Sequence, residues 1–250
     1  MNIRQQLGIL RSRIMYYWKP NNKRRLMKFY SQFVQSGDLC FDIGAHLGNR
    51  TNAWLHLGAK VVSVEPQPAC IAYLKRHLSH NPHMTLLEKA VGNEPGKLPL
   101  FVSELTPTIT TLAGEEWRDT MAEKTSFHVQ WDREVEVEVT TLDELIAEFG
   151  LPVFCKIDVE DFELEVLKGL SQALPSLSFE YFSPTMDRAL ACIDRLDELG
   201  VYQYNWSFGE SQRLESEAWL SGSEIKATLG AYSTEDPSGD VYARLVQIPA

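Results

Sequence analysis

The sequence predicts an α/β fold, a mostly parallel seven-stranded sheet with helices on both faces. Three observations carry that reading. Short apolar runs alternate with amphipathic helical stretches between residues 39 and 199, the order that gives right-handed strand–helix–strand crossovers. The first run, Leu39 to Ile43, enters a turn holding Gly44 and Gly48 and then a helix from about Asn49. At 250 residues and 44% hydrophobic content, the chain is long enough to close one full core.

Residues 1–37 read as a basic helical arm and residues 38–250 as one domain. The arm breaks at Pro20-Asn21-Asn22, and its second helix, residues 23–35, stops at Gly37. Ile9, Leu10, Ile14, Met15 and Trp18 are expected to pack the arm on the body. In the body, the helix of residues 49–57 closes on Gly58, and residues 60–64 form a second strand. Pro68 opens a helix with Ile71, Leu74 and Leu78 on one face, and residues 84–88 follow as strand three. Residues 97–102 and the strictly alternating residues 134–139 read as a β-ribbon beside strand three. The polar segment between them, residues 103–133, is long for a connection and reads as a lid or substrate loop, with disorder as the competing reading.

Thr141 and Glu144 have capping-box spacing for the next helix. Residues 153–157 are strand four, followed by a helix carrying Leu164, Leu167 and Leu170, and residues 177–182 are strand five. A helix from Pro184 to Gly200 then leads to strands at 201–208 and 241–248, split by a Ser/Gly-rich loop. Too little helix separates these two for a parallel crossover, so they are expected as an antiparallel pair at one edge.

Net charge is −10, unevenly spread. Residues 1–37 hold eight bases and no acid, which leaves 16 bases against 34 acids, or −18, in the remainder. An acidic body argues against nucleic acid as substrate, because a phosphate backbone demands a basic stripe. The arm could touch an anionic membrane surface or an acidic partner; the competing expectation is a solvated arm packed on the body. No apolar run approaches the ~18 residues that span a membrane, and the first residues lack the apolar core of a signal peptide. Cys40, Cys70, Cys155 and Cys192 are far apart, which suits reduced, buried thiols and a cytoplasmic setting. His77, His80 and His83 surround one helix end, but their spacing fits no common metal-ligand set.

The glycine turn carries the functional signal. Glycines let the backbone turn sharply and approach a ligand, and the helix start offers unpaired N–H groups. Ligands of such sheets bind at the carboxyl ends of the strands. Asp42 ends strand one, and Glu65-Pro66 ends strand two about 20 residues beyond the turn, where an acid accepts bonds from ribose hydroxyls. The spacing is G-x-x-x-G rather than G-x-G-x-x-G. A carboxylate at Asp42 would repel a pyrophosphate but favour the ammonium and sulfonium groups of S-adenosylmethionine. An NAD-dependent oxidoreductase and a non-catalytic nucleotide-binding module are the alternatives.

Five ordered motifs, Asp42-Ile43-Gly44-Ala45-His46-Leu47-Gly48, Val64-Glu65-Pro66-Gln67-Pro68, Thr141-Leu142-Asp143, Lys156-Ile157-Asp158-Val159-Glu160 and Leu164-Glu165-Val166-Leu167-Lys168-Gly169, resemble the FkbM family of S-adenosylmethionine-dependent methyltransferases. The resemblance implies a class I methyltransferase (Rossmann-like) fold and O-methylation of a hydroxyl on a small molecule, sugar or lipid-linked acceptor. It also implies that Gly44 and Gly48 shape the methionine pocket with Asp42 near the amino group. Ala45, His46 and Thr51 border the turn, Glu65 and Pro66 lie at the ribose, and Glu88, Ala90 and Val91 flank the adenine. Asp161 stands where the family usually has glycine, and His46 where asparagine is frequent.

For the transfer step, Lys156 and Asp158 share a face of strand four. Glu160 follows, and Glu180 ends strand five. An alcohol needs its proton removed, so Asp158 is expected to position cofactor or substrate and Glu160 or Glu180 to accept the proton. A Mg²⁺ on Asp158, Glu160 and Glu180 is permitted by the carboxylates but demanded by no spacing. In the plainer reading Glu160 caps the following helix and Lys156 pairs with Glu180. Trp117, Phe127, Trp131, Tyr181 and Trp206 are candidates for an acceptor pocket.

Overall fold

A computed structural model describes residues 2–17, 21–124 and 129–247. Trp18, Pro20, Phe127 and Ile248 lie outside the described residues. The helices α1 (Ile3–Tyr17) and α2 (Asn22–Tyr30) precede β1 (Leu39–Ile43), α3 (Asn49–Leu57), β2 (Lys60–Val64), α4 (Pro68–His77) and β3 (Met84–Leu87). Next come β4 (Ala90–Val91), β5 (Gly96–Val102), α5 (Glu115–Lys124) and β6 (Arg133–Thr140). The remainder is α6 (Leu142–Phe149), β7 (Phe154–Ile157), α7 (Glu163–Lys168), β8 (Ser176–Tyr181), α8 (Met186–Leu199), β9 (Val201–Phe208), α9 (Gly222–Gly230) and β10 (Gly239–Gln247).

The main sheet has the order β3-β2-β1-β7-β8-β10-β9. β1 pairs in parallel with β2 and β7, and β10 is antiparallel to both β8 and β9. The antiparallel strand is therefore one place in from the edge, and β9 is the edge. β10 enters through Gly239, where a Cβ would stand 1.9 Å from the Ser207 carbonyl oxygen. The expected ribbon forms, but not beside β3. β6 pairs antiparallel with β5 and parallel with β4, making a separate three-stranded sheet. Its own apolar cluster of Leu100, Val102, Val137 and Val139 holds it together.

Two helices were not expected. The segment 103–133 contains α5, whose Trp117 and Met121 pack against Trp131 and Phe182. The Ser/Gly-rich loop contains α9, with a full capping box between Ser221 and Glu224 and Ile225 and Leu229 buried. At Thr141 only half of the box forms: its side chain accepts from the Glu144 N–H, while the Glu144 carboxylate turns to the Thr140 hydroxyl.

The sheet is buried on both faces. On one, Phe41, Ile43, Cys155, Ile157 and Phe179 meet Leu142, Val166 and Ile193 of the flanking helices. On the other, Cys40, Phe154 and Tyr242 meet Phe29, Tyr30 and Trp54. Ring centroids there are 5.3 Å apart for Tyr30–Trp54 and 5.6 Å for Tyr30–Phe154, pairs that add ~0.5–1.5 kcal/mol each beyond area burial. All four cysteines are free and buried. Strands buried on both faces are ordinarily apolar throughout, so Asp42 and Lys156 inside β1 and β7 stand out and mark the site.

The arm differs most from expectation. Ile9 alone of its four expected anchors within the described residues is buried, while Leu10, Ile14 and Met15 are exposed. Apart from Ile9, the face of α1 turned to the body is small and polar. A Cβ on Gly8 would stand 2.1 Å from the Glu104 carbonyl oxygen, Ser12 is buried, and the Gln5 side chain donates to Glu104.

Candidate active site

The carboxyl ends of β1, β2 and β7 open on one crevice enclosing about 830 Å³ of space continuous with solvent. Gly44 is what lets β1 end so close to β7. Its φ is +79°, and a Cβ there would lie 1.8 Å from the Asp158 carbonyl oxygen. Ala45, His46, Glu65, Pro66, Ala90 and Val91 line the crevice, as do Asp42, Asp158 and Glu160.

Three expected residues take other places. Gly48 is outside the lining; a Cβ on it would strike Leu74 and Leu78 of the α4 region at 2.7 and 2.6 Å, so it serves helix packing. Thr51 lies behind the wall. Its amide and hydroxyl donate to Asp42 Oδ2 at 3.0 and 2.5 Å, so the Asp42 carboxylate fastens the start of α3, where a negative group is favoured. Glu88 turns outward to an ion pair with Lys75, and Lys89 lines the crevice instead. Burial raises the Asp42 carboxyl, opposed by Thr51 and Arg50.

Glu65 is buried, with Oε2 accepting the His46 N–H at 2.7 Å and Oε1 the Gln67 N–H at 2.8 Å. Burial pushes its carboxyl up to about 7 against those two bonds. His46 is driven the other way by burial, to about 4, and its ring is neutral at physiological pH.

Lys156 is 1% exposed. Its Nζ lies 3.0 Å from Asp158 Oδ2 and 2.9 Å from Asp240 Oδ1, rather than pairing with Glu180. β10, inserted beside β8, is the element that brings Asp240 within reach. Arg50, in the first turn of α3, is buried and pairs with Glu210 at 2.7 Å. A cation in a first turn opposes the helix dipole, a signal that it needed a carboxylate. Glu210 lies in the loop after β9, and nothing local marks it. Sequence reasoning did not bring Arg50 to the crevice wall, nor Glu210 and Asp240 to its two buried cations.

Oxygens of Asp158, Glu160 and Glu180 all lie within 4.8 Å of one another. Burial opposes ionisation of Asp158, but Lys156 and Arg50 outweigh it and hold its carboxyl below the usual range. Burial and the neighbouring Asp158 push both Glu160 and Glu180 well above it. Glu160 does not cap α7; the Glu163 carboxylate accepts the Val159 N–H there at 2.9 Å. Glu160 and Asp161 take φ of +56° and +74°, a conformation that costs a non-glycine residue ~1–2 kcal/mol. Contacts over-determine it: Thr111 Oγ1 donates to the Glu160 carbonyl at 2.6 Å, and Thr185 and Arg188 hold the Asp161 carboxylate at 2.8 and 2.9 Å. An aspartate thereby occupies a position suited to glycine.

Glu160 also borders a second cavity of about 530 Å³, whose walls include Glu180, Tyr181, Phe182, and Trp117 and Met121 of α5. Of the aromatic candidates, Trp117 and Tyr181 line it. Trp131 instead donates to the Ile109 carbonyl at 3.1 Å, and Trp206 packs against the main core.

Residues 42–204 match the family model described as the methyltransferase FkbM domain. The chain belongs to this family. The match spans every element from the end of β1 into β9 and every residue lining the crevice; Glu210 and Asp240, which pair with Arg50 and Lys156, lie beyond it. A curated relative, methyltransferase sdnD of Sordaria araneosa, is 30% identical over 139 residues, 46% of this chain and 52% of that protein. The match thus spans about half the length of that relative. Among solved structures, a precorrin-6y C5,15-methyltransferase from Geobacter metallireducens is 11% identical, with TM-score 0.48 over 92% of this chain and 91% of that one. A SAM-dependent O-methyltransferase from Thermotoga maritima is 11% identical, with TM-score 0.44 over 95% of this chain and 71% of that one.

Proposed function

We propose that this FkbM-family methyltransferase moves a methyl group from S-adenosylmethionine to a hydroxyl oxygen of a small-molecule, sugar or lipid-linked acceptor. The observation that carries the reading is the trio Asp158, Glu160 and Glu180 standing where the crevice meets the second cavity. One cavity suits a donor and the other an acceptor, with carboxylates between them.

The residues of the crevice fit the donor. Glu65 keeps acceptor capacity on both oxygens beyond its two backbone bonds, which suits ribose hydroxyls. The Asn49 amide nitrogen lines the crevice, is buried and has no hydrogen-bond partner among the described residues. Ala90, Val91 and Leu100 offer an apolar wall for a base. When bound, S-adenosylmethionine supplies a methyl group activated by its sulfonium. The chain aligns the acceptor and takes its proton. Lys156 holds Asp158 ionised. Glu160 and Glu180, both raised by that charge and by burial, are the stronger bases of the trio, and whichever of them is ionised takes the acceptor's proton. The same three carboxylates could instead share one Mg²⁺, since oxygen ligands of this kind suit that ion.

The test is turnover of labelled S-adenosylmethionine with a panel of hydroxylated acceptors. Glu180→Gln and Glu160→Gln are each assayed beside the parent. Loss of the accepting base lowers kcat by ~10²–10⁴ with affinity for S-adenosylhomocysteine unchanged. Near-full turnover in both variants would remove the base assignment.

A further inference from the structure

We propose that the outer face of α1 docks on an anionic lipid surface. Successive residues of a helix turn by about 100°, which places Ile3, Leu7, Leu10 and Ile14 within one arc of about 60°. These four are 45–75% exposed. The helix is thus inverted relative to an ordinary surface helix, which turns its apolar stripe to the core. Its inward face is spent on Gly8, Ser12 and Gln5 with Ile9 as its buried aliphatic anchor, and Ile3, Leu7, Leu10 and Ile14 face out.

Charge decides what covers this stripe. By the same helical count Arg13 flanks it on one side and, on the other, Arg4, which pairs with Asp132, and Arg11, which donates to Thr106. Residues 1–37 add Lys19, Lys23, Arg24, Arg25 and Lys28 and contain no acid, against −18 in the rest of the chain. An apolar stripe bordered by arginines is the pattern of helices that lie in the headgroup region of anionic bilayers, with area burial and electrostatics acting together. Two copies meeting through this face would bring like charges together. Among the described residues no helix is long and apolar enough to cross a membrane, so α1 would lie on the surface. The proposal is independent of the transfer chemistry.

The experiment is co-sedimentation of the full chain with vesicles of phosphatidylcholine alone, or with about one third phosphatidylglycerol. The wild-type chain binds the anionic vesicles at least tenfold more tightly, and raised salt weakens that binding. Leu7→Gln with Leu10→Gln lowers the binding at least tenfold while the circular dichroism melt stays in place. Three results overturn the proposal: no binding to anionic vesicles, equal binding to both compositions, or a self-association of the chain that the double variant abolishes in place of vesicle binding.

Discussion

Replacing Glu65 with glutamine tests the proposed tie between the crevice and a ribose. Its carboxyl is pushed up to about 7 by burial, so about nine in ten molecules carry the charge at pH 8 and about one in ten at pH 6. Ribose hydroxyls donate to the ionised form, and apparent affinity scales with the competent fraction. Affinity for S-adenosylhomocysteine therefore falls about tenfold between pH 8 and pH 6. In Glu65→Gln it is lower at pH 8 by about tenfold or more, the loss of a charge-assisted bond, and Glu65's share of the pH dependence disappears. His46, held neutral with a pKa of about 4, adds nothing to that window. Stability moves in the opposite sense to binding. The folded state keeps the Glu65 proton up to about 7, whereas the unfolded chain releases it near 4.5. This contribution to stability is complete below 4.5 and is lost as pH rises through about 7. Isothermal titration from pH 6 to pH 8 on both proteins reads the binding arm. A flat wild-type profile, or a glutamine variant as tight as wild type at pH 8, refutes the reasoning.

Three further predictions concern the same crevice. Lys156→Met leaves Asp240 without its buried partner and costs ~3–5 kcal/mol in urea unfolding; adding Asp240→Leu recovers most of it, and a single-variant loss below about 1 kcal/mol would contradict the pairing. Gly44→Ala sets a Cβ against the Asp158 carbonyl at a φ of +79°, which adds ~1–2 kcal/mol of backbone strain and spreads β1 from β7, so S-adenosylhomocysteine affinity drops together with the melting temperature. Turnover is expected to survive EDTA if Glu160 or Glu180 is the base; loss of turnover restored by Mg²⁺ would transfer the trio to the metal role.

Much of the sheet was legible because parallel strands write themselves as short apolar runs. The limits of β1, α3 and β2 emerge from Gly44, Gly58 and Pro68, residues whose backbone freedom or ring punctuates the chain. Glu65 was legible for the same reason, as an acid closing an apolar strand. α9 had a signal in Ser221 and Glu224, but the surrounding serines and glycines masked it. α5 had none beyond Trp117 and Met121, four residues apart. The partners of Lys156 and Arg50 were not legible, because Asp240 and Glu210 are 84 and 160 positions away and only the insertion of β10 beside β8 brings Asp240 near. The outward stripe of α1 was misread because periodicity reveals a face without saying which way it turns.

The most direct measurement is calorimetric titration of the purified chain at pH 8 with S-adenosylhomocysteine and, separately, NAD. Saturable binding of the first and none of the second is the result this account requires. Uptake of NAD with no response to S-adenosylhomocysteine would contradict it.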